Sequence, residues 1–192
     1  MQYVVRPKSD EFHDYRGYAG QVAGGVLKPG DEVVVLPSGM TSRISKIDLF
    51  DKEITEAFPP MSVTVHLEDD VDVSRGDMIA RVKNAPEPRQ DIDAMVCWMT
   101  TTPLKPRQKL AIKHTTRTGR ALVKDIQYRL DVNTRHRDQE TKELGVNEIG
   151  RVQLRTTVPL LSDPYAKNRA TGSFILIDEA TGVTVGAGMI LG

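Results

Sequence analysis

The chain has 192 residues, with 26 Lys and Arg against 26 Asp and Glu, so its formal net charge is zero. That length suits one large domain or two small ones, and the balanced charge removes the simplest argument for a nucleic-acid or anionic-membrane partner. The one cysteine excludes an internal disulfide and a four-thiolate zinc site. No apolar run reaches the roughly 20 residues of a membrane-spanning helix, and the first residues do not form a signal peptide. A soluble protein of the reducing cytoplasm is expected.

The first half of the chain predicts strands, because Pro-Gly and Ser-Gly pairs repeatedly interrupt short runs of Val, Ile, Leu and Thr. Residues 28–31 carry Pro and Gly where a type II turn requires them. A second turn at 36–39 predicts a hairpin of strands 32–36 and 41–47. The alternation of apolar and polar residues at 63–67 predicts a half-buried strand.

The second half shows the same pattern, with alternating strands predicted at 126–131 and 152–158. A four-residue loop at 179–182 predicts a hairpin near the C-terminal end. Gly186 and Gly188 in its last strand indicate a bulge or a close approach of neighbouring atoms. Helix is expected only as single turns, at 139–144 and after Pro164.

Residues 84–90 form the one segment whose composition suggests a linker, because they are polar and include two prolines. They separate residues 1–86 from residues 91–192. Each part has about the right number of strands for a small closed barrel, which removes exposed strand edges. The predicted fold is therefore all-β, with two consecutive small β-barrels.

The sequence contains no complete phosphate-binding loop. Such a loop requires G-x-x-x-x-G-K-[ST], because its backbone amides and lysine hold the phosphates. Residues 25–30 have that glycine spacing, but Asp31 and Glu32 follow, and two carboxylates repel phosphate. The glycines at the C-terminal end also miss the dinucleotide spacing. We therefore expect no nucleotide or cofactor site in this chain.

The candidate metal ligands and nucleophiles are scattered. The four histidines never pair at the spacings of a zinc motif. His66 falls on the polar side of its alternating strand, which predicts a solvent-facing side chain. Cys97 lies in an apolar stretch typical of a packed thiol, and the carboxylates of 69–72 lack EF-hand spacing. Neither a metal site nor a catalytic residue is expected.

Charge is unevenly distributed along the chain. Residues 51–72 contain seven carboxylates against Lys52, a net of −6, and residues 103–137 contain ten Lys and Arg against two Asp, a net of +8. If the basic side chains share one face, that face suits an acidic protein or an RNA backbone. Alternating strands that simply point their charges outward explain the pattern equally well. Few aromatic residues lie among these charges, which argues against stacking on single-stranded nucleic acid.

Several motifs resemble known proteins. Residues 15–25 followed by 27–33 resemble the second domain of translation-factor GTPases, which is a β-barrel. More specific motifs, spread over essentially the whole chain, resemble the GTPase subunit of bacterial sulfate adenylyltransferase. These motifs occupy residues 36–39, 41–44, 74–79, 110–115, 130–134, 147–152, 168–178 and 184–190.

The resemblance implies two barrels like domains two and three of elongation factor Tu, preceded in a longer protein by a domain that binds GTP and magnesium. In that family this large subunit partners a small subunit, which makes adenylyl sulfate and pyrophosphate from ATP and sulfate while GTP hydrolysis drives the reaction. Some members also carry an adenylyl-sulfate kinase. This chain lacks G-K-[ST] and N-K-x-D motifs, and its only D-x-x-G begins at Asp14 in a barrel segment. It is expected to be a two-barrel portion of the large subunit, inactive alone.

The expected role is contact with the small subunit and with the GTP-binding domain, and coupling of GTP hydrolysis to the reaction. We expect the contact residues in the segment 16–20 and in a basic loop at 113–120, although ordinary turn structure is the alternative explanation for both. The candidates are Arg16, Gly17, Gly20, Lys113, Arg117 and Arg120. The alternative function is an RNA-associated two-barrel module of a translation factor, in which the basic second half contacts RNA.

Overall fold

The computed structural model describes residues 1–7 and 15–192, so His13 and Asp14 lie outside the described residues. The described chain contains fourteen strands and one 3-10 helix of three residues, which confirms the predicted all-β fold. It divides into two compact units, Met1–Glu87 and Pro88–Gly192, called here the first unit and the second unit.

The first unit is built from seven strands that form one sheet in the order β1-β2-β6-β4-β3-β7, with β5 paired to β4. The strands are β1 (Tyr3–Val5), β2 (Gly17–Gln21), β3 (Glu32–Leu36), β4 (Met40–Leu49), β5 (Lys52–Ile54), β6 (Ser62–Leu67) and β7 (Met78–Arg81). The sheet curls so that its two ends meet. The Met1 amine donates a hydrogen bond to the Asp77 carbonyl at 2.6 Å, and the Gly76 amide donates to the Met1 carbonyl at 3.2 Å.

The core of the first unit follows from the alternation of its strands. Val33 and Val35 of β3 and Ile44 and Ile47 of β4 are completely buried, while the residues between them are less buried. Tyr18 is also buried, and its hydroxyl donates a hydrogen bond to the Val71 carbonyl at 2.6 Å. That bond satisfies the one polar atom that the ring brings into the core.

The second unit contains the longer strands and a closed barrel. Its strands are β8 (Pro88–Trp98), β9 (Lys109–His114), β10 (Arg117–Leu130), β11 (Arg137–Asp138), β12 (Ile149–Leu161), β13 (Ser173–Ile177) and β14 (Thr184–Ile190). The order β10-β12-β8-β14-β13-β9 returns to β10, because β9 and β10 also pair, and β11 adds to the outer side of β10. Trp98 is the largest buried side chain, and its indole nitrogen donates to the Thr102 carbonyl at 2.7 Å.

Both predicted hairpins are present. Strands β3 and β4 pair across the turn at 36–39, and β13 and β14 pair across the loop that ends at Val183. A bulge in the second hairpin lies where Leu176 and Ile177 meet Gly186 and Thr184. At Gly188, a Cβ atom would stand 2.1 Å from the Phe174 ring, so the predicted close approach is made by a side chain.

Two local expectations are wrong or need refinement. Residues 139–144 form bends and irregular chain instead of a helical turn, because Asp138 binds the backbone amides of Glu140 and Thr141. Around the predicted linker, a 3-10 helix of the first unit spans Val82–Asn84, and β8 of the second unit begins at Pro88. Pro88 is the first residue of its strand, where a missing amide donor is best tolerated.

Candidate functional site

Arg16 immediately precedes β2 and fastens the turn that follows β6. Its guanidinium lies 3.1 Å from an Asp70 carboxylate oxygen and 3.4 Å from the Val71 carbonyl. The Arg16 side chain is 23% exposed, whereas that of Asp70 is 89% exposed. Arg16, a candidate contact residue, therefore has a partner in its own unit, and only a small part of its side chain is accessible.

The two candidate glycines of β2 differ in their surroundings. A Cβ atom at Gly17 would lie 2.6 Å from Thr64 Cγ2 and 3.3 Å from His66 Cε1, so only glycine fits there. A Cβ atom at Gly20 would meet nothing closer than 3.6 Å. Gly17 is therefore required for packing, and Gly20 leaves a small open surface beside Met1.

An open cleft of about 560 Å³ lies beside Arg16 in the first unit. It brings together residues from β2, β4, β5, β6 and the adjoining turns. Its lining comprises Tyr15, Arg16, Tyr18, Ser45, Lys46, Glu53, His66, Leu67, Glu68, Asp69 and Asp70. Carboxylates outnumber cations in the lining, and the two cations are each paired with an aspartate.

His66 at this cleft is buried, contrary to the sequence prediction of a solvent-facing side chain. It is 7% exposed, its Nε2 lies 2.8 Å from Asp48 Oδ2, and its ring meets the Tyr15 ring edge-on at 5.0 Å. The prediction failed because side chains from neighbouring segments, the Tyr15 ring and the Asp48 carboxylate, pack against the His66 ring. The absence of a side chain at Gly17 provides the room.

Asp48 is the shared acceptor of this cluster. Burial favours its neutral form, but hydrogen bonds from Lys46 at 3.1 Å and His66 at 2.8 Å outweigh that effect and hold the pKa of the Asp48 carboxyl below its usual range. Asp48 therefore stays ionised at neutral pH and anchors Lys46 and His66. No base, nucleophile or metal is needed to explain the arrangement.

The candidate residues of the second unit lie on strands and not in the predicted loop. Lys113 is the last but one residue of β9, and Arg117 begins β10. The pairing of His114 with Arg117 leaves only Thr115 and Thr116 as the turn. Strand pairing therefore continues through nearly the whole segment 113–120. Lys113 is exposed and Arg117 is half-buried.

Both arginines of that hairpin have partners within the unit. Arg117 donates a hydrogen bond to the Pro159 carbonyl at 2.9 Å, and Arg120 lies 2.6 Å from a Glu179 carboxylate oxygen. The Arg120 side chain is still 69% exposed. Arg117 thus ties the hairpin to β12, whereas Lys113 and Arg120 remain on the surface.

Ion pairs with carboxylates of other segments involve at least four of the ten cations in the stretch 103–137, namely Lys105, Arg120, Lys124 and Arg129. Arg129 bridges Asp138 at 2.9 Å and Glu148 at 2.7 Å, and Lys124 lies 3.5 Å from Asp91. Hydrogen bonds from the Thr141 hydroxyl and amide lower the pKa of Asp138 to about 2. The charge excess seen in the sequence is therefore partly offset by ion pairs within the second unit.

Two features escaped the sequence interpretation. The Asp48 and His66 pair is built by strand register between β4 and β6, and no spacing in the sequence signals it. Phe50, at the turn between β4 and β5, is 95% exposed. The sequence signal for that turn was Phe50 next to Asp51, where apolar residues give way to charged ones.

Among residues 1–7 and 15–192, no group of three His, Cys, Asp or Glu side chains is arranged to hold a metal ion. No helix in this part of the chain is long and apolar enough to cross a membrane. Cys97 is half-buried on β8, and its thiol is free.

Comparison with known proteins gives consistent results. The bifunctional enzyme CysN/CysC of Mycobacterium tuberculosis is 57% identical over all 192 residues, which correspond to 31% of that protein. Sulfate adenylyltransferase subunit 1 of Bacteroides fragilis is 44% identical over 191 residues, 39% of that protein. The chain therefore spans about a third of the length of these relatives. The resemblance predicted from the sequence motifs is confirmed.

The fold is likewise shared with a solved structure. Sup35 in complex with GDP superimposes with a TM-score of 0.83 over 92% of this chain and 44% of that chain, at 19% identity. A likeness at that identity speaks for the fold alone. The family model described as GTP-eEF1A C-terminal domain-like matches residues 91–191, more than half of the chain. The chain belongs to this GTP-eEF1A C-terminal domain-like family.

Proposed function

We propose that this chain is the non-catalytic two-barrel portion of the GTP-dependent large subunit of sulfate adenylyltransferase. With a small subunit, that enzyme makes adenylyl sulfate and pyrophosphate from ATP and sulfate in the cytoplasm. The observation that carries the proposal is the alignment of the whole chain, at 57% and 44% identity, with proteins named CysN/CysC and sulfate adenylyltransferase subunit 1. The identity extends over every strand of both units. Proteins that shared only one barrel with this chain would match over one unit alone.

In this proposal, the residues that bind GTP and magnesium belong to a domain outside this chain. The chain offers surfaces for that domain and for the small subunit, and passes nucleotide-dependent changes between them. Arg16, Gly20, Lys113 and Arg120 remain the proposed contact residues, because each keeps part of its surface accessible. Gly17 and Arg117 would support such contacts through the shape of β2 and of the β9–β10 hairpin.

The ion pairs of the second unit favour this role over RNA binding. A protein that holds RNA presents unpaired Lys and Arg, and its affinity falls steeply with salt as it releases counterions. Here Lys124, Arg129 and Arg120 are each paired with a carboxylate. Each pair would have to open before the cation met a phosphate.

Calorimetric titration of the chain into the small subunit of sulfate adenylyltransferase from the same source tests the proposal. We expect saturable binding to the small subunit, and no saturable binding when RNA replaces it. Absence of heat with the small subunit, combined with salt-sensitive binding to RNA, would reject the proposal and support the translation-factor alternative.

A further inference from the structure

Tyr15, the residue before Arg16, contacts side chains of two neighbouring strands of the first unit. Its ring meets the His66 ring of β6 edge-on, with the two centroids 5.0 Å apart. The Lys46 ammonium of β4 lies 5.9 Å from the centre of the Tyr15 ring, within the range of a cation–π interaction. The Tyr15 hydroxyl oxygen is 3.4 Å from His66 Nε2. Lys46 and His66 together therefore fix where the Tyr15 ring lies.

One carboxylate connects both of these neighbours of Tyr15. Asp48 Oδ2 lies 2.8 Å from His66 Nε2 and 3.1 Å from Lys46 Nζ. An ionised carboxylate only accepts hydrogen bonds, so His66 Nε2 carries a proton and donates it to Asp48. The side chains of Asp48 and His66 are mostly buried, at 16% and 8% exposure. Tyr15, Lys46, Asp48 and His66 are called here the Asp48 cluster.

Gly17 lets β2 pass close to this cluster. A Cβ atom at Gly17 would stand 3.2 Å from Tyr15 Cε1 and 3.3 Å from His66 Cε1, so both rings occupy the space that a side chain there would need. Arg16, between Tyr15 and Gly17, is held separately by Asp70 at 3.1 Å. The chain that enters β2 is thus fixed at three consecutive residues.

Stability alone explains the Asp48 cluster poorly. The strand register places Glu53 of β5 directly opposite Asp48, and like charges in that position destabilise a sheet, although Lys46 offsets part of the repulsion. Burial of an ion pair costs desolvation, and apolar residues of similar volume often stabilise a fold as well or better. Buried polar groups are best attested where one specific arrangement of the chain must be selected. Here the arrangement selected is that of Tyr15 and Arg16.

We propose that Asp48, through Lys46 and His66, positions Tyr15 and thereby orders residues 16–20 for contact with a protein partner. This inference rests on the proposed function for the identity of the partner, which is the small subunit of sulfate adenylyltransferase. A segment that is ordered before binding loses less conformational entropy when the complex forms. Asp48 is thus a positioning residue, which acts on the contact segment through its neighbours.

Asp48→Asn tests the proposal, because it removes the charge with little change in shape. Cleavage by trypsin after Arg16, identified by the masses of the fragments, reports how often this segment opens. We expect it to be about tenfold faster or more in the variant, while the thermal unfolding midpoint falls by less than about 4 °C. Asp51→Asn makes the same charge change at an exposed turn residue and is the matched control, which should change neither quantity.

Tyr15 provides a second pair of variants. Tyr15→Ser removes the ring and should raise cleavage after Arg16 as much as Asp48→Asn does. Tyr15→Phe keeps the ring beside Lys46 and His66, and it should stay close to the parent chain, because 3.4 Å is long for a hydrogen bond from or to a hydroxyl. In calorimetric titration, Asp48→Asn and Tyr15→Ser should bind the small subunit about three- to tenfold more weakly than the parent chain and Tyr15→Phe.

The two readouts separate the possible failures. Equal cleavage after Arg16 in the parent chain, Asp48→Asn and Tyr15→Ser would overturn the inference, since Asp48 would then order nothing at that residue. A large fall in the unfolding midpoint with faster cleavage at every site would also overturn it, because the cluster would then stabilise the whole unit. Faster cleavage after Arg16 with unchanged affinity would show that residues 16–20 are not the contact segment. If the parent chain itself does not bind the small subunit, the proposed function fails, and cleavage still decides whether Asp48 positions Tyr15.

Discussion

Gly17 and Gly20 lie on the same strand, β2, yet an added methyl group would meet different surroundings at the two positions. At Gly17 it would stand 2.6 Å from Thr64 Cγ2, and Thr64 is β-branched and cannot swing away. We expect Gly17→Ala to lower the free energy of unfolding of the first unit by about 1–3 kcal/mol, the range for overpacking. Urea denaturation followed by Tyr fluorescence or circular dichroism measures the change.

Gly20→Ala is the control for this prediction, because its nearest neighbour would be Met1 Cα at 3.6 Å, an ordinary contact. The expected change is within about 0.5 kcal/mol. Equal effects of the two substitutions would show that loss of glycine in β2, and not the contact with Thr64, determines the stability.

His114 predicts a pH dependence of stability in the second unit. It is 1% exposed, and its Nε2 donates to the Thr171 carbonyl at 2.7 Å. Burial lowers the pKa of His114, an effect that outweighs the hydrogen bond to Thr171, and nearby Arg117 lowers it further. The unfolded chain therefore takes up a proton at this residue before the folded chain does.

Stability is consequently complete above the unfolded pKa of about 6.5 and falls as the pH drops below it, by up to about 1.4 kcal/mol per pH unit until the folded pKa is reached. His114→Gln keeps a donor for Thr171 but does not titrate. The difference in unfolding free energy between parent and variant should shrink between pH 7 and pH 5. A difference that stays constant across this window would contradict the assignment to His114.

At the scale of single elements, two turns of the same type carry different residues at their third position. The turn after Lys28 has Pro29 and Gly30, with φ of 86° at Gly30, and the turn after Lys105 has Pro106 and Arg107, with φ of 71° at Arg107. Both are closed between their first and fourth residues, at 3.1 Å and 3.3 Å. They are type II turns, whose third position favours glycine.

We therefore expect Arg107→Gly to raise the free energy of unfolding of the second unit by about 0.5–1 kcal/mol, because glycine adopts this backbone without strain. Gly30→Ala should lower that of the first unit by about 1 kcal/mol, since a Cβ atom there has open space and only the backbone is strained. Chemical denaturation of each variant measures both. Loss of stability in Arg107→Gly would mean that the arginine side chain contributes more than the strain costs.

The dependence of these turns on residues adjacent in sequence explains which elements could be predicted from the sequence. The type II turn at 28–31 and the hairpins β3–β4 and β13–β14 depend on residues close in sequence, so their turn chemistry was sufficient to predict them. Strand β5 has three residues and β11 two, too few for any alternation to show.

The candidate site was less predictable, because its features arise from distant pairings. Burial of His66 needs β2 and β4 on both sides of β6, and the pairing of Arg120 with Glu179 joins residues 59 positions apart. A run of cations in sequence therefore looked like a basic surface, although acidic residues distant in sequence pair with several of its members. Exposure of Phe50 is likewise a property of the finished hairpin.

At the scale of the whole molecule, each unit contains the pairing partners of all its own strands. No strand pair of the described chain joins the first unit to the second. The buried apolar residues likewise form clusters that belong to one unit or the other, with Trp98, Ile112 and Leu154 in the large cluster of the second unit. Because the barrel of the second unit closes on itself, the short β11 is its only edge strand.

Residues 88–192 expressed alone are therefore expected to fold, with a single cooperative unfolding transition and a free energy of unfolding of about 5–10 kcal/mol. The Trp98 indole, buried and bonded to Thr102, provides the fluorescence probe, because Trp98 is the chain's one tryptophan. The isolated unit should also keep the loss of stability below pH 6.5 that His114 causes in the whole chain. A gradual transition, or exposed apolar surface detected by dye binding, would show instead that the barrel needs the rest of the chain to complete its core.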